Sequence, residues 1–92
     1  MNREEAEAVL NDQLSKSRAR GYEGFLALLG EPDVLTVSGP SGREYQVEVE
    51  AFWDVGPEGD IRVVGMIDDG GWRSFVPLTS SFIMRPDGTT VG

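Results

Sequence analysis

Arg43-Glu44-Tyr45-Gln46-Val47-Glu48-Val49-Glu50-Ala51-Phe52-Trp53-Asp54 decides the fold. On an extended chain, Tyr45, Val47, Val49, Ala51 and Trp53 point to one side and Glu44, Gln46, Glu48 and Glu50 to the other. A period of two held this long marks a strand with one face in a core and one toward solvent, which is the habit of antiparallel sheets.

The flanking segments supply partners. Val34 to Ser38 is a short strand, joined to the first by the turn cluster Gly39-Pro40-Ser41-Gly42. After the loop Val55-Gly56-Pro57-Glu58-Gly59, a third strand runs from Asp60 to Asp68, with Ile61, Val63, Gly65 and Ile67 alternating with Arg62, Val64 and Met66. Asp68-Asp69-Gly70-Gly71 reads as a tight hairpin, because Asp-Gly suits a type I′ turn. With Asp69 and Gly70 as the turn residues, Ile67 faces Trp72, Gly65 faces Ser74, Val64 faces Phe75 and Val63 faces Val76, and Pro77 ends the ladder. Gly65 and Ser74 then leave room for the indole of Trp53 or Trp72. Ser80 to Arg85 is a last apolar segment, and Thr89 to Val91 returns as a short strand after the turn Pro86-Asp87-Gly88.

Asn2 to Arg20 has no Gly or Pro and carries a narrow stripe of Ala6, Val9, Leu10, Gln13, Leu14 and Ser17, which predicts a helix stopped by Gly21. Tyr22 to Leu29 predicts a second, short helix ending at Gly30 with Pro32 beyond. The expected fold is α+β: an N-terminal helix or helix pair packed on one face of a four- to five-stranded antiparallel meander sheet, in one domain spanning 1–92.

Composition narrows the chemistry. The 92 residues include no Cys and no His, which excludes thiol nucleophiles, disulfides, Cys/His zinc sites and serine–histidine triads. Sixteen acidic against eight basic side chains give a net charge of −8, and most of the excess lies beyond residue 30. Such a surface repels phosphate backbones, so no nucleic-acid partner is expected, and the plain reading of the acidity is solubility. No run approaches the ~18 apolar residues of a membrane span, so no membrane partner is expected either. An acidic N-terminus without a secretory pattern, together with the lack of Cys, points to the cytoplasm.

Candidate sites have plain explanations beside the functional ones. The Asp68-Asp69-Gly70-Gly71 acids lack the ligand spacing of an EF-hand, and Asp54, Glu58 and Asp60 form no recognisable cation loop. Glu48 and Glu50, two residues apart on one strand face, have the roughly 6.5–7 Å backbone separation that suggests a glycosidase pair, but the alternation marks them as solvated. The aromatic residues Tyr45, Trp53, Trp72, Phe75 and Phe82 suit a cation cage in principle and a core in practice. The expected catalytic, metal and cofactor sets are all empty.

The segment Ile67 to Leu78, followed by Ser81-Phe82-Ile83-Met84-Arg85-Pro86-Asp87-Gly88, resembles the C-terminal half of a group of small bacterial proteins without an assigned function. The resemblance covers about a third of the chain. It implies a compact bacterial domain and carries no catalytic or binding residue with it.

What remains is the face opposite the core. Phe52, Val64, Met66 and Phe75 gather there, with Glu48, Glu50, Arg62 and Arg73 around them, and an apolar centre in a charged rim is the anatomy of an interface. The competing expectation is that the C-terminal segment folds over this face through Phe82, Ile83 or Met84. Function is therefore expected to be that of a small acidic, non-catalytic interaction or regulatory module with a protein partner or a second copy of itself. The alternative is a small carboxylate- or divalent-metal-dependent enzyme.

Overall fold

The computed structural model describes residues 2–69 and 78–92. Five strands, β1 (Asp33–Ser38), β2 (Glu44–Trp53), β3 (Ile61–Asp68), β4 (Leu78–Met84) and β5 (Thr90–Val91), form one antiparallel sheet in chain order. Before them come α1 (Arg3–Ser17), a 3-10 turn at Arg18–Arg20 and α2 (Gly21–Leu26). This is the α+β meander that the alternation of β2 implies.

Helix α1 starts where Asn2 caps it, its side-chain oxygen accepting from the Glu5 amide at 3.1 Å. Glu4 and Glu5 in its first turn and Lys16 in its last complement the helix dipole. The stripe Ala6, Val9, Leu10 and Leu14 is buried against the sheet. The chain then kinks at Gly21, and α2 drives Phe25 into the core, where its ring meets Phe82 edge-on at 5.8 Å and 73°. Leu28 is buried just beyond α2, and Leu29 makes a parallel bridge to Ala51.

Among the described residues, the sheet is covered on one side only. The inward residues Tyr45, Val47, Val49 and Ala51 of β2, Ile61, Val63 and Ile67 of β3, and Phe82 and Met84 of β4 are all buried. Their outward neighbours on the same strands are half-buried or exposed.

Polar and cation–π contacts tie the layers together. The Glu5 carboxylate accepts from the Tyr45 hydroxyl at 2.6 Å and from both the amide and the hydroxyl of Ser41 at 2.8 Å, which pins the β1–β2 turn to the first turn of α1. The Tyr22 hydroxyl donates to the Gly59 carbonyl at 2.7 Å, which holds the β2–β3 loop against α2. Arg18 lies 4.5 Å from the centre of the Phe82 ring and donates to Thr90 Oγ1 and the Gly92 carbonyl, so it clasps the C-terminal strand.

Three expectations are overturned. Val63 pairs with Phe82 and Ile67 with Leu78, so β3 meets residues 78–84 and the two-residue register opposite Trp72 to Val76 is not the one the sheet adopts. The physical reason is core volume: this ladder brings Phe82 and Met84 inward beside Phe25, Ile61 and Val63, where the tight hairpin would have ended at Pro77 with neither placed. Leu10 and Leu14 lie over Gly65, where the sequence leaves room for an indole. Nor does the C-terminal segment fold over the outer face: β4 lies beside β3 within the sheet, and Phe82 and Met84 point into the core. Trp72, Arg73, Ser74, Phe75 and Val76 lie outside the described residues.

Candidate functional site

The outer face is built by strand register. β2 and β3 pair Glu48 with Met66, Glu50 with Val64 and Phe52 with Arg62. β1 adds Val34 beside Glu48, β4 adds Thr79, Ser81 and Ile83 beside Met66, Val64 and Arg62, and β5 adds Val91 beside Ile83. Three cross-strand rows result: Val34, Glu48, Met66, Thr79; then Glu50, Val64, Ser81; then Phe52, Arg62, Ile83, Val91.

Six of the expected surface residues, Phe52, Val64, Met66, Glu48, Glu50 and Arg62, thus share one face, and Phe75 and Arg73 lie outside the described residues. Phe52 is 48% exposed and Val34 59%. Val34, Ile83 and Val91 enlarge the apolar part beyond what the alternation of β2 and β3 indicated. Their own segments mix apolar residues on both faces, so period two could not sort them.

The charges are unequal. Arg62 is engaged by Asp54 at 2.9 Å, while Glu48 and Glu50 lie on the same face. Partial burial, and then the charge of Glu50, push the Glu48 carboxyl above its usual range. Glu48 and Glu50 are half-buried rather than fully solvated, which the alternation alone did not show.

A raised carboxyl beside a second carboxylate is also a feature of acid catalysts, but catalysis needs a cleft. The depression between Val34, Gln46, Glu48, Met66 and Asp68 holds about 180 Å³. Small-molecule sites occupy roughly 300–1,000 Å³, so this shape suits side chains of a partner better than an enclosed substrate. Among the described residues, no group of three or more acidic side chains is placed to hold a metal ion, and no helix is long and apolar enough to cross a membrane.

Compared with protein-family models, curated proteins and solved structures, the chain matches none of them. What the site can do rests on its own residues.

Proposed function

We propose that the chain is a non-catalytic interaction module that engages a protein partner through the outer face of its sheet. The observation that supports this most strongly is the one-sided cover: α1 and α2 bury one face, and no described residue packs over the rows containing Phe52, Val64 and Met66. Aromatic residues and Met in the middle of a polar rim are typical of interface cores.

The sign of the rim selects the partner. Glu48 and Glu50 lie among the apolar residues of the face and Arg62 is paired with Asp54, so the complementary surface carries Lys or Arg around an apolar centre. The three rows span roughly 300–400 Å², well below the ~800 Å² per partner of a standard interface, so the association is transient or draws in neighbouring loops. A cytoplasmic setting is part of the proposal and suits a domain that folds without Cys.

The test is capture from native cells with matched baits. Proteins retained by the unaltered chain and by Val55→Glu, a control at a 94% exposed loop position, should be lost with Phe52→Glu and with Glu48→Lys. Equal retention by all four baits would remove the outer face from the account.

A further inference from the structure

The second surface left open is an edge. The turn that joins β1 to β2 settles which backbone groups of β1 are free: Gly39 N–H donates to the Arg43 carbonyl at 2.8 Å, and Gly42, at φ 87, donates to the Gly39 carbonyl at 2.9 Å. In an antiparallel ladder only alternate residues turn their N–H and C=O toward the neighbouring strand. With Gly39 bonded to Arg43, and Val37, Leu35 and Asp33 opposite Tyr45, Val47 and Val49, the odd-numbered residues of β1 face β2. The N–H and C=O groups of Val34, Thr36 and Ser38 therefore point out of the sheet, and no described strand takes them.

Edges are normally blunted by Lys, Pro, a bulge or extreme shortness. At the opposite edge, β5 has only two residues and pairs with Ile83 and Met84 of β4. Val34-Leu35-Thr36-Val37-Ser38 has none of these devices, and its apolar side chains are open, Val34 at 59% and Leu35 at 37%.

We propose that β1 pairs antiparallel with β1 of a second copy, about a two-fold axis normal to the sheet through Thr36. Such an axis keeps inner face with inner face, so each residue must meet one of its own side. Centred on Thr36, the register places Thr36 opposite its own copy and Val34 opposite the second copy's Ser38, using every outward group of the strand in about six hydrogen bonds. Any other centre leaves some of them unpaired. On the inner side Leu35 lies beside the second copy's Val37, twice over, above the groove of about 420 Å³ that runs between α1 and β1 past Val9 and Val37.

The seam itself carries little charge, although each chain has a net −8. Asp33, the only charged residue of β1, is held by Arg20. In this register it falls opposite the second copy's Gly39, and the two Asp33 side chains stand roughly 20 Å apart along the seam. The product is one continuous ten-stranded sheet with both outer faces on the same side. The pairing does not depend on the outer-face reading, and where both hold the dimer presents that face twice.

Sedimentation of the full chain from micromolar to millimolar concentration should show mass rising toward two chains, with the Val34, Thr36 and Ser38 amides exchanging more slowly as concentration rises. Thr36→Pro deletes an outward N–H and no bond to β2, so it should weaken self-association by ~10-fold or more with the helical and strand signals retained. Thr36→Lys should do the same and serves if the proline variant does not fold. Phe52→Glu should leave self-association unchanged. A monomer at millimolar concentration would overturn the proposal, as would exchange rates independent of concentration. So would self-association that survives both Thr36 variants but is abolished by Phe52→Glu, which would assign the dimer to the outer face.

Discussion

Gly65 lies directly beneath Leu14: a Cβ on Gly65 would sit 2.7 Å from Leu14 Cδ2, and 3.0 Å from Leu10 Cδ1. The missing side chain at this inward position of β3 lets α1 settle closely on the sheet, and α1 is the main cover of the inner face. Gly65→Ala should destabilise the domain by roughly 1–3 kcal/mol through overpacking. Chemical denaturation of Gly65→Ala, Leu14→Val and the double variant should show the double losing less than the sum of the singles, because the smaller Leu14 replacement relieves the clash. Full additivity would mean that the two residues do not press on each other.

Glu5 is the latch between helix and turn, and its titration should be visible in stability. Hydrogen bonds from the Tyr45 hydroxyl, then from Ser41, hold its carboxyl below the ordinary 4.5. A lowered folded-state value means stabilisation that is complete above the unfolded value and is lost as pH falls through the folded one. Glu5→Gln should therefore lower Tm at neutral pH, and the gap to the unaltered protein should close in acid below about 4.5. A gap that is constant with pH would show that the charge of Glu5 is not what the latch uses.

Glu48 should behave in the opposite sense. Burial first, and Glu50 second, raise its carboxyl above 4.5, so folding penalises the charged form. That penalty is absent below the unfolded value and complete above the raised one. Glu48→Gln should raise Tm at neutral pH, leave it unchanged in acid, and weaken partner capture. Such a gain in stability with a loss of binding is expected where a side chain is kept for recognition. Lower stability at neutral pH would show that Glu48 has a structural partner.

The parts of this architecture legible in the sequence are those where one physical signal acts alone. The alternation of β2 identified its two faces, and the Gly-free run from Asn2 to Arg20 identified α1. The β3–β4 register is not legible locally, because Asp69-Gly70 is a strong turn signal, whereas the ladder is set by the distant demand to place Phe82 and Met84 in the core. The real register, Ile67 with Leu78, differs from the tight one by six residues. An even slip leaves inner and outer faces unchanged, so Val64, Met66 and Arg62 still fall on the outer face beside Glu48, Glu50 and Phe52. The Glu5–Tyr45 latch joins residues far apart in the chain, and no local pattern announces it.

The central claim is that recognition occurs on the outer face of the sheet. The most direct measurement is amide- and methyl-detected NMR of the labelled chain as the captured partner is added. The account predicts shifts centred on Val34, Glu48, Phe52, Val64 and Met66, with Val9, Leu10 and Leu14 under α1 undisturbed. Shifts confined to α1 and α2, with the β2 and β3 outer residues unchanged, would contradict it.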